Sequence, residues 1–166
     1  MYPQIKQNAK QSFRGRNWMD IKWTTPAINI QYEMNDHSRW ITKIFGTIGD
    51  RSSVGFLQSI LVKDSINKAT SQFNNRIVNV DQYRNYGLES RFITDYLIGE
   101  MKNTISSGIR LYTGNTHRLA DGKGTTGSNY DVRIEGLYPR DIHFKSNNAA
   151  VFIENIFRVT EKLLII

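Results

Sequence analysis

The chain has 166 residues, of which 39% are hydrophobic and 11% aromatic, so it can bury one core and is not disordered along its whole length. It contains no cysteine, which excludes a disulfide framework and thiolate metal ligation. Isoleucine, which favours strands, and asparagine, which favours turns, are both abundant, and a strand-and-loop protein is therefore expected.

The formal charge of +7 is unevenly distributed along the chain. Residues 1–25 hold five basic groups against one acidic group, and we interpret them as a basic N-terminal arm preceding a single β-rich domain, 26–166. No apolar run reaches the roughly 18 residues of a membrane span, and the N-terminus lacks the apolar block of a signal peptide. We therefore expect a soluble protein. The candidate contact residues of the arm are Phe13, Arg14, Arg16, Trp18 and Trp23.

The first half of the predicted domain contains several strand signals. After Pro26, the side chains of Ile28, Ile30 and Tyr32 alternate with polar or small residues, which is the period of a strand. Residues 40–49 and 76–80 are predicted as further strands, whereas 54–63 fits a helix or a strand equally well.

The segment 87–107 carries the pattern of a helix. Apolar residues recur there at spacings of three and four, and Ser107 and Gly108 follow as a C-terminal cap. We therefore predict the main helix of the fold at about 87–107. The residues of its apolar stripe are Leu88, Phe92, Tyr96, Leu97, Met101 and Ile105.

The second half is predicted to return to strands. A short strand at 109–112 is followed by a glycine- and threonine-rich loop at 113–129, and then by a strand with alternating apolar and charged residues at 130–137. A terminal strand is predicted at 157–166. The fold class expected from these elements is α+β and β-dominated, with an antiparallel sandwich or barrel-like sheet and one main helix.

No pattern in the sequence indicates catalysis. The histidines His37, His117 and His143 stand in unrelated contexts without the close spacing of metal ligands, and surface or hydrogen-bonded positions are expected for them. The glycine-rich segment 121–127 lacks the spacing of a phosphate-binding loop and precedes a predicted strand. We predict no enzyme activity, no catalytic residue, no cofactor and no metal.

The C-terminal part of the chain resembles the tail tube proteins of contractile-tailed bacteriophages. The resemblance lies in 129–148, where a strand leads into Gly136-Leu137-Tyr138-Pro139 and then a polar Ser146-Asn147-Asn148 turn, and in the alternating final segment 157–166. It implies a hexameric ring, stacked into a hollow virion tube through which DNA passes without specific binding. It also implies assembly in the host cytoplasm, and contacts with sheath or baseplate proteins.

Within this resemblance, the sheet edges of neighbouring subunits would pair with each other. The chain would be a tube subunit, or a tail-completion or baseplate relative with the same ring fold. An alternative from a different class is a nucleic-acid-binding module that uses the basic, aromatic arm. The candidate intersubunit contacts are Tyr130, Val132, Ile134, Gly136, Leu137, Tyr138, Pro139, Phe157 and Val159.

Overall fold

The computed structural model describes residue 12 and residues 14–59, 61–160 and 162–166, and these residues form strands and connections without a helix. The strands in chain order are β1 (Trp18–Thr24), β2 (Ala27–Asn35), β3 (Ser38–Gly55), β4 (Ile66–Asn67), β5 (Gln72–Phe73), β6 (Ile77–Ile98), β7 (Met101–Gly124), β8 (Ile134–Glu135), β9 (Arg140–Thr160) and β10 (Leu163–Ile165).

Eight of these strands share one sheet with the neighbour order β1-β3-β6-β7-β9-β10, in which β2 also pairs with β3 and β8 with β7. The strands β4 and β5 form a separate antiparallel pair. The expected β-dominated class is confirmed. The sheet is open among the described residues, so the predicted sandwich or barrel-like closure is not found.

The chain divides into two compact units. Unit 1 takes the described residues of Met1–Lys22, Gly49–Gln82 and His117–His143, and unit 2 takes Trp23–Ile48, Tyr83–Thr116 and those of Phe144–Ile166. The long strands β3, β6, β7 and β9 each contribute one segment to each unit.

Unit 1 has a small buried core. The buried hydrophobic residues among those described all lie in this unit, and they are Val54, Phe56, Val78 and Ala120. Three charged side chains, Arg16, Arg76 and Asp81, are buried with them. Because a buried charge is costly unless it is paired, these side chains need complete sets of partners.

The partners of Arg16 show how this requirement is met. Its guanidinium donates to both carboxylate oxygens of Asp64 at 2.7 Å, and the two side chains are only 6% and 3% exposed. It also donates to the backbone carbonyls of Thr126 and Asn74, and it lies 4.2 Å from the ring centroid of Phe73. One side chain thus joins the segment before β1 to three other parts of unit 1.

Arg76 makes a second buried link. It donates to the backbone carbonyls of Asn129 at 2.8 Å and Arg16 at 3.2 Å, and to the hydroxyl of Thr125 at 3.1 Å. Burial and the nearby Arg16 charge lower the pKa of Arg76 from its usual value. The connection between β7 and β8 is therefore held by side-chain-to-backbone hydrogen bonds.

Unit 2 is built on hairpins. Strands β2 and β3 are joined by Asp36 and His37, and the amide of His37 donates to the side-chain oxygen of Asn35 at 2.9 Å. Strands β6 and β7 are joined by Gly99 and Glu100. Gly99 has φ +59, as the first central residue of a type II′ turn requires.

The predicted helix at 87–107 is wrong, because this segment forms the end of β6, the Gly99 turn and the start of β7. A four-residue spacing is also a multiple of two. Leu88 and Phe92 therefore share one side of a strand as well as one side of a helix. The β-branched Ile93 and Thr94 and the turn at Gly99 favour the hairpin.

Three further predictions in the C-terminal half are wrong. The predicted loop 113–129 belongs to β7 as far as Gly124, and the predicted strand 130–137 is limited to β8. The predicted turn 146–148 lies inside β9. The strand signals at 28–32, 40–49, 76–80 and 109–112 coincide with β2, β3, β6 and β7, and the terminal segment is divided between β9 and β10.

Candidate functional site: an exposed apolar face

One side of the β2–β3 hairpin is apolar. Ile28 lies opposite Ile44, and Tyr32 lies opposite Trp40, so these four side chains point to the same side of the sheet. Directly between them, Ile30 lies opposite a threonine, which carries no charge. Over the β2–β3 hairpin, this side of unit 2 is therefore an uncharged surface.

The same side continues onto β6. The indole nitrogen of Trp40 donates to the hydroxyl of Ser90 at 2.7 Å, and the Trp40 ring lies 5.9 Å from the ring of Phe92. The hydroxyls of Thr42 and Ser90 on this surface are hydrogen-bonded to each other at 2.8 Å. These three polar groups thus have partners within the chain.

Two shallow depressions extend the surface across β7 and β9. The larger has a volume of about 580 Å³ and the smaller about 450 Å³. Apolar side chains from all four long strands line them, and we refer to the whole set as the apolar face. Its members are Ile28, Ile30, Tyr32, Trp40, Ile44, Tyr86, Leu88, Phe92, Ile109, Leu111, Ala149 and Val151.

The opposite side of unit 2 has a different composition. Lys43 and Arg110 lie over the ring of Phe45 at 5.8 and 5.7 Å, and Arg91 lies over the ring of Phe152 at 5.2 Å. On this side the aromatic rings are covered by cations of the same chain. The two sides of the sheet are therefore distinct, and the apolar face is the one without such cover.

The apolar face is exposed to solvent. Ile28 is 61% exposed, Tyr32 65% and Val151 85%. Among the described residues, 24 large hydrophobic side chains of unit 2 are exposed and none is buried, so unit 2 has no hydrophobic core of its own. A surface of this kind marks an interaction site in a folded protein.

The candidate intersubunit residues fall into both units. Tyr130 through Pro139 lie in unit 1, where Leu137 is 90% exposed, whereas Phe157 and Val159 lie on β9 in unit 2. Gly136 has φ +77 after β8, and burial raises the pKa of the Tyr138 hydroxyl. The remaining candidates, Val132, Ile134 and Pro139, are half-buried or exposed.

The candidate arm contacts are engaged within the chain, except for Phe13, which lies outside the described residues. Arg14 donates to the carbonyl of Gln58 at 3.1 Å, and Arg16 is buried against Asp64. The indole of Trp18 donates to the carbonyl of Ser128 at 2.7 Å. Trp23 is half-exposed and its ring lies 5.1 Å from that of Tyr83. Arg16 is thus committed to the core of unit 1.

Two of the three histidines, separated by 25 residues in sequence, come together in unit 1. His117 and His143 stack with ring centroids 4.0 Å apart, and both face Asp141. The sequence contained one signal for this arrangement, the Asp-Ile-His triplet at 141–143, whose first and last residues share one side of a strand. His37 lies apart, in the β2–β3 turn.

No family model, curated protein or solved structure matches this chain. Within the described residues, no helix is long and apolar enough to cross a membrane.

Proposed function

We propose that this protein is a structural subunit that assembles with further copies of itself through the apolar face of unit 2. The observation that carries this proposal is the exposure of that face, which unites side chains from five strands and contains no charged residue. An assembly would supply the hydrophobic core that unit 2 lacks.

The size of the face supports a stable interface. Its exposed side chains present on the order of 1,000 Å² of apolar surface, whereas each partner of a standard interface contributes about 800 Å². At about 25 cal/mol per Å², covering it gives roughly 25 kcal/mol before the costs of association, estimated at about 4–15 kcal/mol or more, are subtracted. The apolar term is therefore large enough to hold two chains together.

A second copy is the occupant that fits this face best. Homomeric interfaces are more apolar than interfaces between independent proteins, and this face is mostly apolar, with uncharged polar residues such as Thr42 and Ser90 between its apolar side chains. The edges of the sheet in unit 2 also favour a second copy as the partner. Among the described residues, β2 pairs with β3 alone and β10 with β9 alone, so each has a side on which a strand of another copy can add.

A narrower form of the proposal is a ring of the phage tail tube type, as a tube subunit or a tail-completion or baseplate relative. Its support is the resemblance around Gly136-Leu137-Tyr138-Pro139, which joins β8 to β9, together with the β-rich fold. In this form the ring is hexameric, belongs to the virion, passes DNA through its channel and contacts sheath or baseplate proteins.

The decisive experiment compares two adjacent positions of β2. Ile30→Lys places a charge in the apolar face, whereas Gln31→Lys places the same charge on the opposite side of the sheet. The two residues are both exposed. We expect the wild type and Gln31→Lys to sediment as oligomers, and Ile30→Lys to associate at least about a hundredfold more weakly, since burying an unpaired ammonium costs several kcal/mol.

Negative-stain electron microscopy of the same samples tests the narrower form. Sixfold rings or hollow tubes would support the tail tube type, whereas closed dimers would retain the assembly function and overturn the ring. A wild type that remains monomeric at every concentration would overturn the proposal. Binding to DNA that weakens steeply with salt would instead favour a nucleic-acid-binding module.

A further inference from the structure

Three side chains of types that bind metal ions in proteins lie close together on neighbouring strands of unit 1. His117 is on β7, and Asp141 and His143 are on β9, two residues apart and therefore on the same side of the strand. The Nε2 atom of His117 lies 2.7 Å from Oδ1 of Asp141, and Nε2 of His143 lies 3.7 Å from the same oxygen. One ligand atom from each residue falls within 4.8 Å of the other two.

We infer that His117, Asp141 and His143 form a binding site for a divalent transition metal ion such as Zn²⁺. In a tetrahedral zinc site with bonds of about 2.0–2.1 Å, the ligand atoms are about 3.3 Å apart. The distances of 2.7 and 3.7 Å lie on either side of this value, and the two stacked rings must turn so that the in-plane nitrogen lone pairs of both point at one ion. Two imidazoles and one carboxylate form a ligand set that such ions accept, and one position stays open for water or another ligand.

A surface hydrogen bond alone does not account for this arrangement. His117 by itself satisfies Oδ1 of Asp141, and His143 at 3.7 Å is too distant for a hydrogen bond to that oxygen. The second imidazole nevertheless stacks on the first with an angle of 10° between the rings. Two imidazoles brought together on neighbouring strands can serve as two ligands of one cation.

The surroundings of the cluster permit a cation to enter. The side chains of His117, Asp141 and His143 are 29%, 58% and 59% exposed. Two arginines adjacent to the cluster in sequence have carboxylates of their own, since Arg140 pairs with Asp121 and Arg118 faces Asp81. The ligands lie on paired strands and not on a loop, which holds their spacing.

The test uses the full chain, purified without a histidine tag and treated with a chelator. Calorimetric titration with Zn²⁺ is expected to show one ion per chain, and His117→Ala and His143→Gln should each weaken the affinity by at least about tenfold. His37→Ala is the matched control, because His37 lies in the β2–β3 turn, and it should bind as the wild type does.

Thermal unfolding supplies a second measurement. Zn²⁺ should raise the Tm of the wild type and of His37→Ala, and should raise that of His143→Gln less at the same zinc concentration, because stabilisation follows binding to the folded state. Equal zinc affinity in the wild type and a His117→Ala/His143→Gln double variant would overturn the inference. No zinc binding by the folded wild type would overturn it as well.

Discussion

Units 1 and 2 use the same long strands but stabilise them differently. In unit 1, buried arginines and aspartates connect loops and strands around a small apolar core. Unit 2 has 24 exposed large hydrophobic side chains and no buried one among the described residues. Within the same residues, unit 1 thus pairs its buried arginines internally, although Oδ1 of Asp81 lacks a hydrogen bond, whereas unit 2 leaves apolar surface exposed.

Because of this difference, substitutions in the two units should affect different properties of the protein. Substitutions in unit 1 should change the free energy of unfolding of a single chain, because its charged groups are buried and paired. Substitutions on the apolar face should mainly change association, because its side chains already contact water in the single chain.

The largest effect is expected for Arg16→Met. It leaves the Asp64 carboxylate, only 3% exposed, without its bidentate partner, and should lower the free energy of unfolding by about 3–5 kcal/mol. Urea denaturation, with hydrogen exchange at the amide of buried Val78, measures this loss. Arg133→Met is the control, because Arg133 is 84% exposed and an exposed pair contributes only about 0–1 kcal/mol. Equal losses in both variants would contradict the role of the buried pair.

A smaller effect is expected in unit 2 for Gly108→Ala. A Cβ at Gly108 would overlap the backbone carbonyl of Ser90 and approach the Phe152 ring to 2.7 Å. Because the backbone of β6 cannot move aside easily, the variant should lose about 1–3 kcal/mol of stability in urea denaturation. Gly15→Ala has open space around it and should change stability little. A neutral Gly108→Ala would show that unit 2 tolerates strand displacement.

The smallest effect concerns the pair of Asp131, whose side chain is 19% exposed, and Arg133, whose side chain is 84% exposed. Side-chain and backbone hydrogen bonds from Arg133 lower the pKa of Asp131 from 3.8 to about 2. A lowered folded-state pKa means that the contribution of this group is complete above pH 3.8 and is lost as the pH falls through about 2. In an NMR titration, Arg133→Gln should raise the pKa of Asp131 towards 3.8. An unchanged midpoint would show that Arg133 is not the cause.

Local periodicity was sufficient for part of the fold. The alternation of Ile28, Ile30 and Tyr32 predicted β2, because one side of that strand is apolar and the other polar. The same logic failed at Leu88 and Phe92, whose spacing suits a helix and a strand alike. Gly99 was the better guide there, since its positive φ makes the turn between β6 and β7.

The candidate sites depended on pairings that periodicity does not encode. His117 and His143 meet only because β7 and β9 are neighbours in the sheet, and a single sequence does not specify that register. The apolar face similarly requires the registry of five strands. The exposure of these residues in the single chain could not be predicted either. An apolar residue on a strand predicts burial, but it does not say whether the same chain or another chain buries it.

The turn at Gly99 and Glu100 also has a kinetic consequence. It connects strands of 22 and 24 residues that follow each other directly in sequence, so their first contacts close loops of only a few residues. Short loops cost the least conformational entropy to close, and local pairings form fastest. The β6–β7 hairpin should therefore form early in folding, and β3 and β9 should add to an existing template.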